Sequence, residues 1–235
     1  MSVRTEHAFR PASRRATTVI ALLAVHALVD LLLIWVTLGE IGLVDRVQRG
    51  EFVPDSELIR SDDRSAVIGG TSIGLLLVTG IAWLLWQHRS QANLHARRVP
   101  GLAYTPGWAV GWWFVPFVNL VKPYQTVREL WAASGGGEGW VRGRTWPVLG
   151  WWWAAWIVGG VLGQISVALV SDQPTIDELI ASDRWAIASS GVSIAAAILA
   201  ILIVRSVERR QARLGAPPSI SPPPLPPPPP PPSVP

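Results

Sequence analysis

Four long apolar runs limit what this chain can fold into more than any other feature. They cover residues 16–38, 66–86, 146–170 and 185–204. A bilayer core of roughly 30 Å needs about 20 helical residues, each rising ~1.5 Å, and every run supplies that length. Backbone N–H and C=O groups in lipid have no water to bond, so each run is expected to be a helix. The first run exceeds the roughly 7–15 apolar residues of a cleaved signal segment and is read as a retained helix. The expected layout is a basic N-terminus (1–15), a membrane domain (16–205), and a basic flank running into a Pro-rich tail (206–235).

Charge orients the helices. Residues 39–65 hold seven acids against four Arg, and residues 171–184 hold four acids against one Arg. The other segments are basic, carrying 15 of the 20 Lys and Arg residues. Basic flanks stay in the cytoplasm, so both termini and the middle connector are expected inside a cell membrane. The pI of about 10.6 then reflects topology and anionic inner-leaflet headgroups, and nucleic acid is not an expected partner. Trp83, Trp86, Trp146 and Trp151 to Trp153 fall near inner helix ends, where indoles favour the headgroup boundary.

The two acidic loops resemble each other. Glu57-Leu58-Ile59-Arg60-Ser61-Asp62 recurs as Glu178-Leu179-Ile180-Ala181-Ser182-Asp183, 121 residues later. Each copy follows an outgoing helix and precedes a returning one. The chain therefore reads as an all-α integral membrane protein built from two parallel helical hairpins. Parallel repeats of this kind occur in some transporters. Pro54 and Pro174 suit the start of a short surface helix in each loop. Gly70-x-x-x-Gly74 and Gly159-x-x-x-Gly163 suit close helix packing, either within the bundle or across a homo-oligomer interface.

The connector between the hairpins is unusual. Its apolar part, 107–121, would reach only about 22 Å as a helix, and Pro116 interrupts it. Basic residues flank it on both sides (Arg97 and Arg98 before, Lys122 and Arg128 after). A single crossing would break the charge rule, so 107–134 is expected to re-enter or lie on the cytoplasmic leaflet. After Pro123, Leu120, Tyr124, Val127 and Trp131 recur at helical spacing, with Gln125, Arg128 and Glu129 opposite. That pattern predicts an amphipathic interfacial helix ended by Gly135-Gly136-Gly137. The candidate functional residues of this segment are Trp112, Trp113, Pro116, Asn119, Pro123, Tyr124, Arg128, Glu129 and Trp131.

The run Gly111-Trp-Trp-Phe-Val-Pro116-Phe-Val-Asn119-Leu-Val-Lys-Pro123-Tyr124-Gln125-x-x-Arg128-Glu129-Leu-Trp131 resembles the signature of a bacterial membrane family known as domain of unknown function 4328. The preceding Pro-Gly-Trp-Ala-Val and the Ser-Asp-Asp-Arg of residues 61–64 fit it as well. The resemblance spans about residues 15–210 and implies an actinobacterial-type inner-membrane protein. It implies no activity and names no catalytic residue.

Polar groups inside the runs are few. Asp30 lies mid-helix, where a charge costs about 2.5–3.5 kcal/mol on insertion scales, and His26 is one turn away. The pair reads either as a proton or cation relay or as a neutral Asp bonded to Thr71, Ser72 or Thr79. Gln164, Ser189, Ser190 and Ser193 are read as bonds between helices. No zinc-protease, phosphate-loop or nucleophile-elbow pattern occurs, there is no Cys, and no catalysis, metal or cofactor is expected. His88, Arg89, His95, Arg97 and Arg98 read as a solvated basic connector. The Pro run 226–232 favours an extended tail that aromatic grooves of a partner can hold. Two functions follow: a scaffold organising lipids or partners at the cytoplasmic face, or a small oligomeric transporter using Asp30.

Overall fold

The computed structural model describes residues 12–136, 140–143, 145–171 and 175–215. Among these it is helical, without strands. Six α-helices are α1 (Ser13–Gln48), α2 (Asp55–Ala96), α3 (Pro106–Gly111), α4 (Lys122–Ala133), α5 (Pro147–Ala168) and α6 (Ile176–Gly215). Four of them, α1, α2, α5 and α6, are long and apolar enough to cross a membrane. Their outer faces expose large apolar side chains such as Leu28, Leu31, Ile73, Leu77, Val161 and Ile198. A soluble protein rarely exposes so large a continuous apolar surface.

These helices run well past the apolar windows. Hydropathy marks where lipid lies, whereas the backbone ladder continues through polar residues until a stop. Asp55 and Glu57 sit in the first turn of α2, where acids favour the helix dipole. Residues 55–62 are therefore the opening of α2 itself and not a separate surface helix after Pro54. Pro174 itself lies outside the described residues, but the segment after it likewise opens α6 and is not a separate surface helix. At the other end, Val99 N–H bonds Leu94 O (3.1 Å) and Arg98 N–H bonds His95 O (2.9 Å). This Schellman closure leaves Arg98 at φ 53°.

α1 packs between α2 and α6, and α6 packs on α5. Helices α2 and α5 meet instead at one end, through stacked Trp83 and Trp152 rings (5.2 Å) and through the segment inserted between them. That end carries Arg15, Lys122 and Arg205 and is called the basic end. The opposite end carries Glu40, Asp45 and Asp183 and is the acidic end.

Small and polar residues fix the hairpins. Gly159 faces Val192 and Ser193, and Gly163 faces Ser189 Oγ, whose hydroxyl donates to Gly159 O (3.0 Å). That motif packs inside the bundle. Gly70 and Gly74 have open space around them. Ser61 of the first recurring motif donates to Glu40 of α1. Ser182 of the second donates to Ser166 O of α5 (3.0 Å), and Ser166 returns a bond to Ser182 O (2.9 Å). Gln164, expected between helices, is exposed.

Candidate functional site

The segment between the hairpins does not form a fifth long helix. Thr105 caps α3 by accepting from Trp108 N–H (3.3 Å), and Pro106 starts it. The chain then turns through 112–120 and returns as α4, with Pro123 in its first turn. It leaves the basic end and comes back to it, since α4 finishes against the end of α6: a Cβ on Gly135 would meet Arg210, and one on Gly136 would meet Leu214.

A buried amide anchors this insertion. Gln87 lies in a stretch expected to be solvated connector, yet it is 1% exposed. Its Oε1 accepts from Trp83 Nε1 (3.2 Å) and Trp113 Nε1 (3.0 Å). Its Nε2 donates to Ala109 O (3.1 Å) and Thr126 Oγ1 (3.0 Å). The side chain thus uses all four of its bonding positions to join α2, α3, the turn and α4. One turn on, Gln91 Nε2 donates to Tyr104 O and to Glu129 Oε1 (both 2.9 Å). Gln211 of α6 closes the set: its Nε2 donates to Ser90 O (3.0 Å) and Ser134 Oγ (3.2 Å).

Glu129 is the second anchor. The helical pattern places it on the solvent face, but it is 8% exposed. Its carboxylate accepts from Ala103 N–H (2.8 Å), Tyr104 N–H (3.2 Å) and Gln91. Burial is tolerated because three donors replace water. Leu120, placed on the apolar face, precedes α4 and is exposed.

A cavity of about 530 Å³ lies beside Glu129, lined by Tyr104, Gln125, Arg128, Trp131, Trp140 and Arg210 among others. Tyr104 Oη donates to Gln125 (2.8 Å). The Arg210 guanidinium lies 3.7 Å over the Trp131 ring, which stacks on Trp146 and donates to Ser206 Oγ (3.0 Å). Trp131 is therefore an inward wall of this cavity and not an interfacial anchor. Arg128 is exposed at the rim. Two guanidinium groups, an amide, a phenol and two indoles suit an anion carried on an organic body.

The remaining predicted residues divide in two. Pro123 and Tyr124 pack into the core. Trp113 meets Trp153 and Trp156 edge-on (5.9 and 5.7 Å), while Trp112 packs on Trp108 (4.7 Å). Pro116 opens a tight turn closed by Val118 N–H to Pro116 O (2.7 Å). Phe117 sits in it at φ 61° and is 87% exposed. A γ-turn of this positive-φ kind is rare and strained. Asn119 is half-buried in the returning turn. The Trp placement expected for a headgroup belt is corrected as well. Trp83, Trp86, Trp152 and Trp153 are buried core, whereas Trp35, Trp108, Trp151, Trp156 and Trp185 are exposed.

His26 and Asp30 do come together, with Nε2 3.6 Å from Oδ2. Ser72 and Ser193 lie beside the carboxyl. Thr71 does not, since it bonds back to Val67 O (2.7 Å).

Four bundled helices long and apolar enough to cross a membrane, closed at one end by an aromatic insertion, define an all-helical protein. Sequence comparison then places it. The chain belongs to the family described as "Domain of unknown function (DUF4328)", whose model matches residues 49–209. The match starts after α1 and contains the whole insertion, so it is shorter at its N-terminal side than the resemblance implied. No curated protein and no solved structure matches the chain.

Proposed function

We propose that this chain is a non-enzymatic multi-pass membrane protein that organises anionic lipid at the cytoplasmic face. The observation that carries the reading is the cavity lined by Arg128 and Arg210 with Gln125, Tyr104 and two indoles, where the Glu129 carboxylate is already held by three donors. An anionic headgroup fits that chemistry, and each Lys or Arg near the surface contributes about 1 kcal/mol to holding acidic lipid. In this reading the basic end is cytoplasmic, 107–134 is re-entrant, and the strained turn presents Phe114 and Phe117 to the inner leaflet.

Several observations support the finer architecture. The two recurring Glu-Leu-Ile-x-Ser-Asp motifs each open a returning helix and each bond its Ser to the preceding one. Gln211 also bonds Ser90, 121 residues away. Equivalent positions of a duplicated hairpin meet in this way at an axis along the membrane normal. The insertion between α2 and α5 breaks the symmetry. The Pro-rich tail lies outside the described residues, and here it tethers a partner with an aromatic groove.

Native mass spectrometry from nanodiscs tests the proposal. Wild-type protein is expected to retain acidic phospholipid over phosphatidylcholine, and Arg128→Ala with Arg210→Ala to lose that preference. Equal retention of both lipids by the wild type sinks the reading. Reporter fusions after residue 140 test the orientation, and a periplasmic signal rejects it. One observation favours a second reading, a small oligomeric transporter: the buried His26–Asp30 pair together with the outward-facing Gly70 and Gly74. Asp30→Asn would then abolish a pH-dependent flux in proteoliposomes.

A further inference from the structure

Three neighbouring helices turn polar residues toward one another in the half of the bundle nearer the acidic end, apart from the amide set at the basic end. On α1 these are His26, Asp30, Thr37 and Glu40, on one face by helical spacing. On α2 they are Ser61, Ser65, Ser72 and Thr79, and on α6 Asp183, Ser190 and Ser193. Pairings between the helices match their depths. Glu40 accepts from the Ser61 and Ser65 hydroxyls and lies within electrostatic reach of Asp183. About 15 Å deeper along α1, Asp30 faces Ser72 and Ser193. Thr37 and Ser190 fall between these levels, and they, His26, Asp30 and Thr79 are all more than nine-tenths buried.

The line ends abruptly. On the basic side of His26 and Thr79 the cross-section is filled by Val19, Trp83, Trp86, Ile203, Val204 and Val207, all buried. The two indole N–H groups there are committed, Trp83 to Gln87 and Trp86 to Glu208. This plug offers no chain of hydroxyls.

Among the described residues, His26 Nδ1, Asp30 Oδ2 and Thr79 Oγ1 are buried without a hydrogen-bond partner. The 3.6 Å between His26 Nε2 and Asp30 Oδ2 is too long for a hydrogen bond, but close enough for one charge to act on the other. A carboxylate beside a neutral imidazole carries one negative charge. A single proton on the carboxyl makes the pair neutral and leaves neither group charged. Beside Asp30, α2 places Ser72 and α6 places Ser193. Glu40 and Asp183 are the charged groups turned inward at the acidic end, where Arg64 and Arg184 are exposed, and Arg15, Arg205 and Glu208 lie beyond the plug.

We infer that the His26–Asp30 pair binds one exchangeable proton, which reaches it along Glu40, Thr37 and Ser190 from the acidic end and is barred from the basic end by the Trp83–Trp86 plug. The site does not depend on the lipid cavity, and its test does not read lipid binding.

Dicyclohexylcarbodiimide reports a protonated carboxyl inside a membrane. The carboxyl oxygen bonds the central carbon of the reagent, the carboxyl proton moves to a reagent nitrogen, and the adduct rearranges to a stable N-acylurea. The full chain in sealed liposomes is labelled with the pH of each side set separately. Because the chain has no Cys, a Phe52→Cys variant with an impermeant maleimide reports which end faces the bath. Lowering the pH at the acidic end from about 8 to about 5 is expected to raise Asp30 labelling roughly tenfold. The same change at the basic end is expected to leave it unaltered. Asp30→Asn should lose the adduct, and Thr37→Val with Ser190→Ala should slow the response while helix content is kept. Labelling that follows the basic end, both ends equally or neither overturns the inference, and this comparison needs only the two-sided measurement without any path variant.

Discussion

Gln87→Leu tests whether one amide holds the insertion in place. Leucine keeps most of the volume, so the loss is in bonding more than packing. Three groups lose a partner: Trp83 Nε1, Trp113 Nε1 and Ala109 O. Thr126 Oγ1 keeps its bond to Pro123 O (2.8 Å). At about 1–3 kcal/mol for each stranded buried group, the loss is bounded between about 3 and 9 kcal/mol. Trp113 is only half-buried and can recover a water, which places the expectation near the low end, about 3–5 kcal/mol. Against a total of about 5–15 kcal/mol for a typical fold, that is enough to free the insertion at moderate temperature. The assay is thermal unfolding in detergent followed by near-ultraviolet circular dichroism, which reads the coupled rings of Trp83, Trp86, Trp152 and Trp153. Trypsin cleavage after the exposed Arg98 should quicken in parallel. Gln87→Glu keeps an acceptor for both indoles but loses donation to Ala109 O, so an intermediate loss is expected. If Gln87→Leu unfolds within about 0.5 kcal/mol of wild type, the range of an ordinary surface change, and Arg98 is cut no faster, the amide is not the anchor.

Glu129→Gln turns an amide N–H toward one of the backbone donors that the carboxylate accepts from, Ala103 or Tyr104. A loss of about 1–3 kcal/mol and faster amide exchange at those two residues are expected. Gly136→Ala places a Cβ at φ 69° and against Leu214, so a lower melting temperature is expected. Gly74→Ala meets nothing within 4 Å and should hold or raise it, since alanine gains roughly 1 kcal/mol over glycine within a helix. Arg98→Gly relieves a left-handed residue at the end of α2 and should stabilise by about 1 kcal/mol, measured by the same unfolding curves.

Much of the helical plan was legible because lipid imposes a length and a composition. The four apolar windows located α1, α2, α5 and α6 but fell short of their ends. Residues such as 87–96 and 205–215 are polar and read as flanks, although they continue the helices. The insertion's signature was also legible, since Pro116 and the short apolar span argued against a crossing. What sequence could not show was which polar residues are buried. Gln87, Gln91 and Gln211 look like solvated connector because their partners are distant in sequence: Gln87 bonds Thr126 and Gln211 bonds Ser90. Charge alone sets Glu129 on the wet face, and the folded-back 103–104 backbone together with Gln91 supplies the donors that reverse that reading. A spacing signal did exist, with Gln87, Ser90, Gln91 and Leu94 on one face of α2, but charge density in the same stretch hid it.

The chemistry of that hidden set follows from where it sits. In lipid, one apolar surface gains little by leaving hydrocarbon for another, so helix association relies on fit and hydrogen bonds. A segment as rich in Trp as this one could slide between α2 and α5 with little change in dispersion energy. Directional bonds remove that freedom. Trp83 and Trp113 point to Gln87, Trp86 to Glu208, Trp131 to Ser206, Trp140 to Pro100 O and Trp153 to Leu120 O. Each bond fixes one ring against one element, and together they tie α2, α4, α5 and α6 to a single register. The same register sets Arg210 over Trp131 and brings Arg128 to the rim of the cavity. Positioning the two guanidinium groups therefore depends on buried indoles and amides that never touch a ligand. For that reason Gln87→Leu is expected to weaken acidic-lipid retention as well as stability, whereas Arg128→Ala is expected to weaken retention alone.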